Sequence, residues 1–216
     1  ANMDLKEACE TYETPLVSGK DSMKNDFYGN DINNNKIKIS SPPTLLITGI
    51  SKNNKCIPSH IHSVDEHIYL IGNIQKDIYR SHFSELYNLE NKGVHPYSLS
   101  NNNKLYKGFN SLHPFISSCH DISEGGLITS LFEMTLGNDL GIRIESSLSL
   151  GELFNEPLGC FVVSVKGDKN QDFLNSLKGM SYKYLGKSIA NKSLEIHGQD
   201  IPTRELKEVY QGAFHG

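Results

Sequence analysis

The chain has 216 residues, 37% of them hydrophobic, and a formal net charge of -4. That length suits one large domain or two small ones. No apolar run reaches a membrane span, and scattered Lys and Arg argue against a nucleic-acid binder.

Four cysteines, Cys9, Cys56, Cys119 and Cys160, stand far apart without a CxxC pair, and no basic-then-apolar leader opens the sequence. The expectation is a reduced, cytoplasmic protein with free thiols, no zinc ribbon and no membrane contact.

In chain order, residues 4–13 read as a helix with Leu5, Ala8, Cys9 and Tyr12 on one side. "TPLVSG" (14–19) reads as a short buried strand, and the Asn-rich stretch 20–35 as a loop or loose hairpin. "KIKIS" alternates like a half-exposed strand, and "TLLITGIS" (44–51) has the continuous apolar character of a buried one. After an irregular, His-rich stretch, "HIYLIGN" is a strong strand. Residues 74–91 carry Ile74, Ile78, Phe83, Leu86 and Tyr87 at helical spacing. The next segment, with Asn101–Asn103, reads as a surface loop. Residues 104–118 then read as a helix with Leu105, Phe109, Leu112 and Ile116 buried and Pro114 bending it.

Leu127, Leu131 and Met134 give a further helical stripe, stopped at Gly137–Asp139. Downstream come a strand "GIRIESS", a short helix "LGELFNEP", a core strand "GCFVVSV" and a helix "NQDFLNSLKGM". Two strands, "YKYLGKSI" and "KSLEIHG", follow, then a closing helix that starts at Pro202. Strands alternating with helices predict an α/β layered fold, with a boundary near Ser51–Pro58.

The chemistry concentrates in "HDISEGG", His120–Gly126. If a helix starts near Gly125, its first N–H groups lack intrahelical partners and carry partial positive charge. Gly125 and Gly126 would let a phosphate approach the backbone, and Ser123 could donate to it. Asp121 could hold Mg²⁺, a hard ion that bridges carboxylate and phosphate. On local chemistry alone the favoured reading is simpler: Ser123 or Asp121 caps the helix, with Glu124 in the first turn. A second candidate is "GKDS", where Lys20 and Ser22 end an apolar run, although the spacing is not that of a Walker loop. Cys56, His60, His62, Asp65 and His67 lie within twelve residues but match no familiar zinc spacing. Asn155 and Glu156 read as a turn before a core strand.

Taken in order, "VSGKDSMKND", "PPTLLITGI", "HDISEGGLITSLFEMTLGNDLGI" and "LFNEPLGCFVVSV" resemble the second synthetase-like half of the phosphoribosylformylglycinamidine synthase family. "GKDSM" points to its large, single-chain form. The resemblance implies an aminoimidazole ribonucleotide synthetase-like fold. Residues 1–51 would be the tail of its N-terminal subdomain and 52–216 its C-terminal subdomain. It implies ATP, Mg²⁺ and glutamine as co-reactants in converting formylglycinamide ribonucleotide to formylglycinamidine ribonucleotide. The amide oxygen is phosphorylated and ammonia displaces the phosphate.

On this resemblance Asp121 matches a magnesium ligand and Ser123 a nucleotide contact, with Gly125 and Gly126 beside them. Lys20, Asp21 and Ser22 lie at the edge of the phosphate-bearing cleft. The rest of the synthase, including its glutaminase domain with the nucleophilic cysteine, would be the partner. The chain by itself is expected to be inactive and to self-associate through strands at 36–50 that lack neighbours. Two alternatives stand beside this. One is a nucleotide clamp (ADP or ATP) that is structural and not turned over. The other is a different member of the aminoimidazole ribonucleotide synthetase superfamily.

Overall fold

The computed structural model describes residues 2–20, 26–40, 46–50, 56–90 and 97–212. It separates into two compact units, Ala1–Cys56 and Ile57–Gly216.

The first unit contains helix α1 (Asn2–Tyr12) and an antiparallel hairpin of β1 (Phe27–Asn30) and β2 (Lys36–Ile39). The hairpin closes through Asp31, whose carboxylate accepts the amides of Asn33 and Asn35 at 2.8 and 2.9 Å. That is the local side-chain-to-backbone bonding that makes Asp a turn former. Two strand expectations are corrected here. Residues 14–19 are irregular and exposed, and the described part of "TLLITGIS" forms no strand, with Leu46 and Ile50 89% and 91% exposed. An apolar run becomes a buried strand only when neighbours take its hydrogen bonds and cover its faces. Among the described residues of this unit none does.

The second unit is a seven-stranded mixed sheet in the order β4-β6-β3-β7-β5-β8-β9. Its strands are β3 (His67–Ile71), β4 (Ile116–Asp121), β5 (Gly141–Ile144), β6 (Phe161–Val165), β7 (Tyr182–Ile189), β8 (Ser193–Ile196) and β9 (Gln199–Pro202). Neighbours are antiparallel except β5 and β8. The helices are α2 (His82–Leu86), α3 (Leu99–Asn110), α4 (Gly126–Glu133), α5 (Leu150–Phe154), α6 (Asn170–Ser176) and α7 (Thr203–Gly212). The class is α/β, as the alternation predicts.

Successive side chains of a strand point to opposite faces, and β3 and β6 use both. Ile68, Leu70 and Val162 join Leu127, Leu131 and Met134 of the α4 segment and Leu153 of α5 in one core. Tyr69, Ile71, Val163 and Val165 join Phe173 and Leu177 at α6, with Phe109 of α3 packed against them, in the other. Burial on both faces explains why these strands read as continuous apolar runs.

Three helix expectations change. Among the described residues of 74–91 only His82–Leu86 is helical, because Arg80 takes a left-handed φ of 58° and Ser81 then caps the start, accepting from the Ser84 amide. Asn101–Asn103 lie inside α3, which Ser98 caps, so they are helical and not loop. Ile116 belongs to β4, since α3 ends four residues before Pro114. The strand β9 precedes the closing helix and ends at Pro202, where an edge strand tolerates proline.

Candidate functional site

The edge strand β4 delivers His120 and Asp121 to one end of the sheet, and the chain turns through Ile122–Gly125 into α4. Ile122 is buried and anchors the turn, with its amide donating to the Cys160 carbonyl at 3.0 Å. The Asp121 carbonyl is held by the Ser130 hydroxyl at 2.9 Å and lies 2.7 Å from His120 Nδ1. With its backbone pinned, the Asp121 carboxylate is left 67% exposed. His120 is a brace. Its Nε2 lies 3.3 Å from Glu133 at the far end of α4, and the Tyr210 hydroxyl donates to Glu133 at 3.2 Å.

The two glycines are both left-handed, with φ of 80° and 73°. Their amides are not bare, which corrects the expectation of open donors at the helix start. Gly126 donates to the Ser123 carbonyl at 3.1 Å, and Gly125 donates to Glu156 Oε1 at 2.9 Å. Glu156 also accepts from the His82 amide at 2.8 Å and lies 3.1 Å from His82 Nδ1. The carboxylate beside it raises the His82 pKa above the ordinary value. The neighbouring Asn155 is fully buried. It accepts from the Gln75 amide at 3.1 Å and donates to the Asp77 carbonyl at 2.8 Å, which fixes the 75–77 segment against α5.

Asp121, Ser123, Glu124 and Glu156 share a cleft of about 450 Å³ with Tyr106 and Leu158. Its described lining holds three carboxylates and no Lys or Arg. Among the described residues no three His, Cys, Asp or Glu converge on one metal position. Mg²⁺ nevertheless fits a single exposed carboxylate when phosphate oxygens and water complete its shell. A larger cleft of about 620 Å³ lies beyond the Leu158–Cys160 wall and contains none of the candidate nucleotide, phosphate or metal residues read from sequence. Burial, with help from Asp121, pushes the Cys119 thiol up to about 12, and burial pushes Cys160 to about 11. Neither offers a thiolate near neutral pH.

Of the residues singled out, the structure gathers Asp121, Ser123, Gly125 and Gly126 at one corner. Lys20 belongs to the first unit, where it is exposed. Ser22 and Asp21 lie outside the described residues. The His60 and His62 rings sit 4.8 Å apart without forming a metal cluster. Sequence reading missed the parts played by Glu156, His82 and His120. The signal for Glu156 was a carboxylate placed just before a core strand.

Residues 85–199 match the family described as AIR synthase related protein, C-terminal domain. The chain is 28% identical over 224 residues to phosphoribosylformylglycinamidine synthase subunit PurL of Lactobacillus delbrueckii subsp. bulgaricus, across 98% of this chain and 28% of that protein. Its fold is similar to that of T. maritima PurL complexed with FGAR, with a TM-score of 0.62 and 11% identity over 93% of this chain and 36% of that one. T. maritima PurL complexed with ATP gives a TM-score of 0.56 and 13% identity over 72% of this chain and 28% of that one. The chain therefore spans well under half the length of the proteins it resembles.

Proposed function

The chain belongs to the AIR synthase related proteins, whose C-terminal domain it carries, and from that membership we propose that it is a segment of a phosphoribosylformylglycinamidine synthase. The whole enzyme would use ATP and glutamine to convert formylglycinamide ribonucleotide to formylglycinamidine ribonucleotide. In this reading residues 1–51 belong to the N-terminal synthetase-like subdomain and 52–216 form the C-terminal one. The remainder of the synthase, with its glutaminase, is the partner, and the setting is cytoplasmic.

The corner at 121–126 would receive ATP or ADP with Mg²⁺. The observation that supports this is the Asp121 carboxylate, exposed although its Oδ1 lies 3.5 Å from His120 Nδ1, on a pinned backbone at the mouth of α4 beside Ser123. Asp121 would take the cation, and Ser123 would donate to a phosphate oxygen. Gly125 and Gly126 would shape the turn. The ion would supply charge neutralisation between carboxylate and phosphate.

The cleft's lack of a described Lys or Arg favours a nucleotide that is held over one that is turned over, because phosphoryl transfer calls for several fixed positive charges. Calorimetric titration of ATP and ADP, with and without Mg²⁺, tests the reading. Saturable Mg²⁺-dependent binding, weakened at least about tenfold in Asp121→Asn, is expected, since an opposed charge pair across water and protein is worth about 1.4 kcal/mol or more. No saturable heat in the wild type would overturn it. No product should form from the isolated chain. In the full-length enzyme, Asp121→Asn should lower Tm through lost ligand linkage while leaving turnover; lost turnover with an unchanged Tm would make the corner catalytic.

A further inference from the structure

We infer that the larger cleft of about 620 Å³ beyond the Leu158–Cys160 wall is a second ligand site, which takes a small phosphate-bearing, hydroxylated molecule between Lys104 and Lys178. The inference stands apart from the nucleotide reading, because this cleft contains none of the carboxylates of the corner at 121–126. Its described lining holds two lysines and no Asp or Glu. Across the shared wall the balance is reversed, with three carboxylates and no Lys or Arg. In a chain of net charge -4 the cleft is a local positive well, and concave walls of low dielectric focus the field of such charges. Among the described residues neither Lys104 nor Lys178 forms an ion pair, so both charges are open to a ligand.

The fold holds these groups on fixed backbone. Asn101, Lys104, Leu105 and Gly108 are spaced three and four apart on α3 and so share one face of it. The asparagine run that reads as a surface loop in sequence therefore brings amide side chains to the cleft. A side chain at Gly108 would meet the Met180 sulfur at 2.8 Å, so Met180 lies directly on the helix and makes an apolar floor beside Leu105. Lys178 stands on the turn between α6 and β7. That turn is closed by the Met180 amide, which donates to the Leu177 carbonyl at 2.9 Å, and by Gly179 at a left-handed φ of 75°. Opposite, the Gly72 amide donates to the Ser181 carbonyl at 2.9 Å and the Ser181 hydroxyl donates to Asn73. Asn102 is also in the lining, and its Nδ2 is shut away from solvent with no acceptor of its own. A buried donor left unmade is rare, and an arriving ligand oxygen gives it a partner once the amide turns.

The chemistry of the lining names the class of ligand. Clefts that hold small molecules run to about 300–1,000 Å³, so the volume suits a compact metabolite. Two ammonium groups match the nearly double negative charge that a phosphate monoester carries at neutral pH. Each is a compact point charge with three rotatable donors, which suits the oxygens of a tetrahedral phosphate. The Gln75 and Asn101 amides both donate and accept, as recognition of hydroxyl groups requires. Leu105, Leu158 and Met180 cover the carbon skeleton. A divalent cation is a poor occupant, because no described group in the lining brings it a charged oxygen.

The test uses the whole chain in EDTA, followed by ¹H–¹⁵N NMR. Glucose 6-phosphate is the probe, and glucose and inorganic phosphate are the two halves of its chemistry. The amides of Gly108, Gly179 and Ser181 should shift saturably with glucose 6-phosphate. Inorganic phosphate should move the same amides at higher concentration. Glucose should bind at least about tenfold more weakly than its phosphate, since it lacks the charge that two lysines attract. Lys104→Gln combined with Lys178→Gln should weaken glucose 6-phosphate by at least about tenfold. Both side chains are exposed, so the rest of the spectrum should stay as in the wild type. Three results overturn the inference: no saturable shift at those amides, glucose binding as tightly as its phosphate, or a double variant of unchanged affinity. A response centred on Gly125 and Gly126 also overturns it, because those amides report the other cleft. Titration of Mg²⁺-ATP against Gly125 and Gly126 judges the nucleotide reading separately, so either can fail while the other stands.

Discussion

A side chain at Gly126 would meet the carbonyl oxygens of Leu153 and Asn155 at 2.8 Å, both backbone atoms at the end of α5. At Gly125 the first obstacle is the Thr129 hydroxyl, the end of a side chain that can rotate. Both positions are left-handed, which strains any other residue by about 1 kcal/mol. Gly125→Ala should therefore cost about 1 kcal/mol and Gly126→Ala more than about 2 kcal/mol, because backbone cannot step aside. Urea denaturation of the two variants reads the difference, and equal losses would refute the argument. The two glycines looked alike in sequence, as a doorway for phosphate. The structure gives the second a packing reason, since α4 and α5 touch there. Asp121, Ser123 and the helix start were legible because they are neighbours in the chain. Glu156 and His82 were not, because only the folded sheet brings them to Gly125. The raised Cys119 and Cys160 thiols and the exposed Cys56 give a second prediction. A thiol reagent at pH 7.5 should modify Cys56 at once and Cys119 and Cys160 only on unfolding. Labelling of Cys160 at the rate of Cys56 would contradict their burial.

Helix α5 shows what local sequence can specify. Ser149 accepts from the Glu152 amide at 3.2 Å, and Glu152 accepts from the Ser149 amide at 2.8 Å, a reciprocal cap. Burial works to raise the Glu152 carboxyl. Lys183 at 2.8 Å and the Ser149 amide and hydroxyl outweigh it and hold the group at about 2. A carboxyl depressed in the folded state contributes stability in full above its unfolded value, near 4.5, and loses it as pH falls toward about 2. Glu152→Gln should therefore be less stable at pH 7 by about 1–2 kcal/mol, the sum of a cap and a partly exposed ion pair. The gap to wild type should close between pH 4.5 and 2. Thermal melts across that range decide it, and a gap that stays constant would show that the carboxylate's charge is irrelevant. Where a cap opposed the apolar spacing, the cap won. Ser81 restarts the chain as α2, and the longer stripe from Ile74 was misleading because spacing does not reveal a left-handed Arg80. The strands were legible from their apolar runs, but the polar seam between them was not. Buried Glu66 accepts from Ser164 at 2.7 Å and from Ser63 at 2.9 Å, and Ser164 in turn meets Ser118 at 2.6 Å. Ser164→Ala leaves a buried carboxylate oxygen without that donor and should cost about 1–3 kcal/mol. Ser176→Ala, on an exposed helix face, should cost under about 0.5 kcal/mol.

The two units differ in what holds them. Every residue of both buried cores lies in Ile57–Gly216. Among the described residues of Ala1–Cys56 none is buried, and Leu16, Val17, Leu46, Ile47 and Ile50 are exposed. Burial of apolar area supplies about 25 cal/mol per Å², so a unit that buries no side chain fully has little to set against chain entropy. The amides of α1 and of the β1–β2 hairpin should then open locally at almost no cost, while those of β3, β6 and β7 open only with the whole sheet. Hydrogen exchange of the intact chain at low concentration should show the second set protected by at least on the order of a hundredfold more than the first, because an opening free energy larger by 3 kcal/mol or so slows exchange by that factor. Raising the concentration adds a further outcome. If the exposed apolar run at 46–50 pairs with another copy, as unpartnered apolar surface is prone to do, protection of the first unit should rise with concentration and the light-scattering mass should exceed 24.1 kDa. Equal protection of α1 and β6 in a chain of monomer mass would sink the division of stability between the units, since nothing buried among the described residues of the first unit could account for it.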